Sequence, residues 1–104
     1  MAWLVLVVSG VLETVWAAAL EASRGFSRLR PSLLFLVALA ASMAGLAYAL
    51  RTIPVGTGYA VWVGIGAVGT ALYGMVVLNE PASALRLVFL AMIVGGVVGL
   101  KFAG

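Results

Sequence analysis

Residues 2–20, AWLVLVVSGVLETVWAAAL, decide the fold of this chain because they form an apolar stretch with one charged side chain, Glu13. A helix of about 20 predominantly apolar residues spans the hydrocarbon core of a bilayer. The stretch therefore predicts a transmembrane helix with Glu13 near its middle. A charged side chain at that depth costs about 2.5 kcal/mol or more, so its presence there needs a functional explanation.

Three further apolar stretches follow the first, and Pro31, Pro54 and Pro81 mark the connections between them. Charged residues make up 9% of the chain and hydrophobic residues 65%, whereas a soluble domain has about 25% charged residues. We predict an all-α membrane protein with a single four-helix transmembrane domain over residues 1–104. Its helices are expected at about residues 2–21, 31–50, 57–78 and 84–102.

The basic residues are divided four to two between the two sides of the membrane. Four spanning helices put both chain ends on one side, together with Arg51 and Lys101. The opposite side carries Arg24, Arg28, Arg30 and Arg86. Because this is a weak bias under the positive-inside rule, the sequence allows insertion in both orientations.

The residue inventory excludes several classes of chemistry. The chain has no cysteine, no histidine and no aspartate, and its three acidic residues are Glu13, Glu21 and Glu80. Thiol chemistry, zinc sites built on histidine or cysteine, and Ser-His-Asp arrangements are therefore excluded. The net charge of +3 is too scattered for a nucleic-acid surface. We expect neither an enzyme nor a metal or cofactor site.

Glu13 is the candidate functional residue because no fixed charge neutralises it. No basic residue lies at comparable depth in the other three predicted spans. A mobile proton or cation must therefore neutralise Glu13. A carboxylate that binds these two species in turn meets the thermodynamic requirement of an antiporter. The alternative is a protonated, purely structural carboxyl group. Glu21 and Glu80 flank loops and are expected to be solvated loop charges.

Five other residues are candidates for the lining of a pocket around this glutamate: Gly10, Trp16, Ser42, Tyr59 and Trp62. Gly10 and Trp16 share its helical face, and Tyr59 and Trp62 share a face of helix three. Aromatic rings attract cations, and the Ser42 hydroxyl can donate to a carboxylate. The alternatives are an interfacial aromatic belt for Tyr59 and Trp62 and a bond from Ser42 to its own helix.

Two glycine-rich stretches permit close approach or bending of helices. Residues 64–69, GIGAVG, match a dinucleotide-binding spacing, but they lie inside an apolar segment without the strand and turn that this motif requires. Gly64 and Gly66 instead allow packing or a bend in helix three. Gly95 and Gly99 form a G-x-x-x-G pair, which is typical of a helix-dimerisation face.

These features together resemble the small multidrug resistance transporters over essentially the whole chain. The resemblance rests on the first-helix glutamate, on GFSRLRPS at residues 25–32, on IPVGTGYAVWVGIG at residues 53–66 and on the glycine-rich fourth helix. Within that family, LETVWAAAL at residues 12–20 and VGIGAVG at residues 63–69 are most similar to the guanidinium exporter branch.

The resemblance implies an antiparallel homodimer in the bacterial inner membrane that exports guanidinium, and small substituted guanidinium compounds, in exchange for protons. Protons and substrate then compete for Glu13. Trp16, Ser42, Tyr59 and Trp62 match the pocket lining, with Gly10 beside them. Gly64 and Gly66 match a bend in helix three, and helix four, which carries Gly95 and Gly99, matches the dimer contact.

Glu21 and Val63 depart from the branch, which usually has lysine and threonine at these positions, and Arg24 and Arg30 add charge to the first loop. Glu21, Arg24 and Arg30 bear on orientation and leave a heterodimer with a sister subunit as an alternative to the homodimer, whereas Val63 bears on the polarity of the pocket. Two other functions also stay open: export of bulky quaternary ammonium compounds, and a small membrane assembly or pore protein. A pore protein has no need of Glu13, so a neutral substitution there distinguishes it.

Overall fold

The protein forms four α-helices in the computed structural model, which describes residues 1–103. They are α1 (Ala2–Ala22), α2 (Leu29–Ala49), α3 (Val55–Val76) and α4 (Ala84–Ala103). All four are long and apolar enough to cross a membrane, and no strand occurs within residues 1–103. The prediction of an all-α membrane protein with four spanning helices is confirmed.

Helices α2 and α3 begin two residues earlier than predicted, whereas α4 begins at Ala84 as predicted. Helix α2 begins at Leu29, because Pro31 is accommodated in the first turn, where a backbone N–H has no helical acceptor. Helix α3 begins at Val55 rather than 57, because Pro54 immediately before it holds an extended conformation with φ −55° and ψ 141°. The prolines thus set the start of these helices more tightly than the apolar pattern indicated.

Helix α3 ends at Val76, two residues before the predicted position. The backbone N–H groups of Leu78 and Glu80 both donate to the Gly74 carbonyl, at 3.1 and 3.0 Å. Asn79 between them has φ +57°, a left-handed conformation that asparagine adopts more readily than most residues. The chain therefore turns back over the last turn of α3 before α4 begins.

Helix α1 packs against both α2 and α3, and α4 lies along α3. Glycines lie where α1 crosses its neighbours. A Cβ atom on Gly45 of α2 would collide with the Ser9 hydroxyl, and one on Gly10 would approach the Ile65 side chain of α3 to 2.8 Å. Small residues at such crossings let helix backbones approach closely in a membrane.

The buried apolar core comprises Leu6, Leu46, Ala49, Ile53, Val61 and Trp62, from α1, α2, the α2–α3 connection and α3. Helix α4 contributes no buried residue within the part of the chain that the structure describes. Large apolar side chains are exposed on all four helices, where a bilayer or another chain covers them. Glu13 thus lies in a bundle formed by α1, α2 and α3, and α4 lies at the edge of this bundle.

Candidate functional site

Glu13 lies where α1 crosses α3 at Gly66. A Cβ atom on Gly66 would collide with the Glu13 carboxyl group, so glycine at this position leaves room for it. The Oε1 atom of Glu13 is buried and has no hydrogen-bond partner among residues 1–103. Within residues 1–103, the ion pair that the structure shows joins Arg86 to Glu80. Glu13 therefore has no basic partner among these residues.

A hydrogen-bond chain links the three helices around Glu13. The indole Nε1 of Trp62 donates to the Ser42 hydroxyl at 3.1 Å, and this hydroxyl donates to the Ser9 carbonyl at 2.7 Å. In an α-helix the carbonyl of residue 9 also accepts the N–H of residue 13. The chain therefore reaches the backbone of Glu13, whereas the Ser42 hydroxyl bonds neither the carboxyl group nor its own helix.

The aromatic candidates divide into two groups. The rings of Tyr59 and Trp62 lie 5.7 Å apart, with Trp62 6% exposed and Tyr59 54% exposed. Trp16 instead packs edge-on against Phe35 of α2 at 5.9 Å. Its Nε1 atom is buried without a hydrogen-bond partner among residues 1–103. Trp62 is thus a buried residue of the bundle, whereas the indole N–H of Trp16 is free to donate a hydrogen bond.

A groove of about 450 Å³ between α1 and α3 contains Glu13 at its inner end. We call it the acidic groove, and its polar lining consists of Glu13, Glu21, Thr70, Tyr73, Glu80 and Arg86. Glu13 and Glu21 are separated along α1 by about 12 Å, at 1.5 Å per residue. All three side-chain carboxylates thus line one groove, and Glu21 and Glu80 are exposed, as expected of solvated charges.

The predicted pocket is only partly assembled within one chain. Ser42, Tyr59 and Trp62 come together, but they do not line the acidic groove. Gly10 packs against Ile65. Within one chain, the predicted pocket residues Ser42, Tyr59 and Trp62 thus form a cluster that is separate from the acidic groove around Glu13.

The predicted hinge and dimer glycines have different surroundings. Gly64 packs against Val97 of α4, and α3 is a continuous helix through Gly64 and Gly66. On α4, a Cβ atom on Gly95 or Gly99 would have nothing within 4 Å. In this conformation the α3 glycines provide close contacts, while the α4 glycines face outward.

Sequence reasoning missed three residues next to the site: Ser9, Thr14 and Phe35. Thr14 packs against Gly69, where a Cβ atom would collide with its hydroxyl, and its Oγ1 lies 3.5 Å from the Gly66 carbonyl. The spacing of Ser9, one turn before Glu13, was a usable signal. Phe35 gave none, because an apolar residue in a spanning helix is expected on any face.

Comparison with known proteins relates this chain to one family and to several proteins of the same name. The family model described as Small Multidrug Resistance protein matches residues 1–93. A protein named guanidinium exporter from Yersinia pseudotuberculosis is 56% identical over 103 residues, covering 99% of both chains. Proteins of the same name from Escherichia coli K12 and Salmonella typhimurium are 53% and 50% identical, covering 99% of this chain and 98% of theirs.

These relatives confirm the resemblance seen in the sequence, and they are named as exporters rather than as enzymes. Together with the four spanning helices, they indicate a multi-pass membrane protein, consistent with the bacterial inner membrane. The chain belongs to the small multidrug resistance family of membrane transporters.

Proposed function

We propose that this transporter exports guanidinium, and small substituted guanidinium compounds, in exchange for protons at Glu13. The main support is Oε1 of Glu13, a carboxyl oxygen that is buried in a membrane-spanning helix. This atom has no hydrogen-bond partner among residues 1–103. Guanidinium is a planar cation whose paired N–H donors match a carboxylate, as those of arginine do. The names of the three relatives support this cargo.

Exchange follows from the cost of an unpaired charge inside a membrane. A proton or a guanidinium ion each neutralises Glu13, whereas the ionised side chain alone is expensive to carry between the two faces. The site therefore changes face when loaded with one species or the other. In the proposed dimer, Tyr59, Trp62 and Trp16 would supply aromatic faces for the cation. Within one chain, the Trp62–Ser42–Ser9 hydrogen bonds hold the three helices in register.

The test is guanidinium transport by purified protein in liposomes, with proton movement measured at the same time. We expect an outward guanidinium gradient to drive protons inward. Lowering the pH protonates Glu13, so the apparent dissociation constant for guanidinium should rise, approaching about tenfold per pH unit for each proton displaced. Guanidinium transport without proton movement would contradict the proposal. Preferred transport of a tetra-substituted ammonium ion would favour the multidrug alternative.

We further propose that the working unit is a dimer, assembled partly through the outward face of α4. This helix buries no residue within the described chain, and Gly95 and Gly99 present open backbone. Gly95→Leu or Gly99→Leu should weaken dimer formation in detergent about tenfold, or about 1.4 kcal/mol. Gly56→Leu, at an equally open glycine of α3, is the control. Unchanged dimer populations in both α4 variants would contradict the proposal that α4 forms part of the dimer interface.

The two subunits of the dimer are proposed to insert in opposite orientations, since the basic residues give only a weak bias. The chain has no cysteine, so Ala82→Cys introduces a single label site in the exposed α3–α4 connection. We expect an impermeant thiol reagent to label this site from both sides of the membrane. Labelling from one side alone would instead favour a heterodimer of fixed orientations.

A further inference from the structure

The outer end of the acidic groove carries an ion pair between Arg86 and Glu80. The Nη2 atom of Arg86 lies 2.8 Å from Oε1 of Glu80, and the two side chains are 35% and 43% exposed. The Nη1 atom of Arg86 donates to the Pro81 carbonyl at 3.1 Å. A cation that follows the groove from its outer end to Glu13 therefore passes this pair.

Both members of the pair are held by the ends of helices. The Glu80 carboxyl group lies against Gly74, where a Cβ atom would approach Oε1 to 2.5 Å, and the Glu80 N–H donates to the Gly74 carbonyl. Arg86 lies in the first turn of α4, and its backbone N–H donates to the Ser83 hydroxyl at 3.1 Å. The ion pair thus joins the end of α3 to the start of α4.

We propose that Arg86 and Glu80 form a displaceable gate on the cation path to Glu13. Arg86 occupies Glu80 between transport events, and the exported cation replaces it on Glu80 during passage. This inference rests on the proposed function, because it assumes a guanidinium-type cargo. It assigns to Glu80 and Arg86 a role in access to the site rather than in binding at Glu13.

The chemistry of the pair supports replacement rather than permanent closure. The head group of Arg86 is itself a guanidinium, so Glu80 exchanges one such partner for another and keeps a charge-assisted hydrogen bond. A half-exposed ion pair of this kind is screened by water and contributes little to stability. Glu21 lines the same groove, so two carboxylates and one basic side chain line the outer end of the groove.

Two neutral substitutions test the gate because they should shift transport in opposite directions. Glu80→Gln leaves Arg86 unpaired on the path, so we expect the KM for guanidinium to rise about three- to tenfold and its dependence on ionic strength to change. Arg86→Gln removes the competing guanidinium, so the KM should fall by a similar factor. The maximal rate should also fall, since the cation leaves Glu80 more slowly.

Arg86→Lys keeps the charge without the two-pronged fork, and its KM should lie between those of the native protein and Arg86→Gln. Arg28→Gln changes the net charge equally at an exposed position outside the groove, and is expected to keep the native KM. A purely structural ion pair predicts that Glu80→Gln and Arg86→Gln shift the KM in the same direction. That result, or no shift in either variant, overturns the gate.

Failure of the gate is distinguishable from failure of the proposed function. Equilibrium binding of guanidinium to detergent-solubilised Glu80→Gln and Arg86→Gln should stay within about twofold of native, because a gate changes the rates of entry and exit together and leaves the affinity of Glu13 unchanged. A native protein that fails to bind guanidinium would refute the proposed function. A loss of equilibrium binding in Glu80→Gln alone would place Glu80 in the binding site and overturn its assignment to the gate.

Discussion

Glu13→Gln should abolish proton-coupled guanidinium transport while leaving the protein folded. Glutamine has the shape of a permanently protonated glutamate, so it neither releases a proton nor neutralises a cation. Removing one partner of a buried ion pair costs about 3–5 kcal/mol, so guanidinium binding should weaken at least a hundredfold. The helices should remain intact, because Oε1 of Glu13 has no hydrogen bond to lose among residues 1–103.

The measurements are guanidinium binding in detergent and coupled uptake in liposomes, with dimer content as the control for folding. Glu13→Asp is the matched variant, because it keeps the charge and withdraws it by about one methylene group. It should retain binding with an altered pH profile. If Glu13→Gln still couples guanidinium uptake to protons, the exchange mechanism is wrong. Retention of some other membrane activity in that variant would favour the pore or assembly alternative.

The four helices and the depth of Glu13 were predictable from the sequence because both depend on length and polarity alone. An apolar stretch such as residues 2–20 must satisfy its backbone internally in a bilayer, and a helix does so whatever its neighbours are. The starts of α2 and α3 were less predictable. Pro31 and Pro54 each allow the helix to begin before the apolar pattern becomes regular.

The groove and the hydrogen-bond chain were not predictable, because they depend on how the helices cross. Ser42 had two reasonable partners in sequence, and the crossing of α1 and α2 brings it to a third, the Ser9 carbonyl. Glu80 is exposed in the α3–α4 connection, as expected, but its contact with Gly74 was not expected. It returns over Gly74 because Asn79 adopts a left-handed conformation, which the apolar pattern does not encode.

The roles of the predicted site residues remain predictions. A single chain places Tyr59 and Trp62 away from the acidic groove, so any contact of theirs with the cation at Glu13 depends on a second copy. Glu13 and Gly66 are different, because their contact lies entirely within one chain. A substitution at Gly66 therefore tests the position of the Glu13 carboxyl group within one chain.

Gly66→Ala should weaken guanidinium binding about tenfold to a hundredfold, since displacing a binding group by about 1 Å is enough for such a loss. The added Cβ atom would collide with the Glu13 carboxyl group, which is the mobile end of a side chain. The carboxyl group should therefore move while the helices stay in place. Alanine also favours a helix over glycine by about 1 kcal/mol, so the melting temperature should not fall.

Two further glycine variants separate this steric effect from loss of a hinge in α3. Gly56→Ala adds a methyl group where nothing lies within 4 Å, and Gly64→Ala adds one that would collide with the Val97 side chain of α4. If Gly66 provides room for Glu13, Gly66→Ala alone weakens equilibrium binding. If both glycines act as a hinge, Gly64→Ala and Gly66→Ala slow transport alike and leave binding native. Native binding by Gly66→Ala would therefore contradict the steric role, because a carboxyl group that tolerates the added Cβ does not depend on that space.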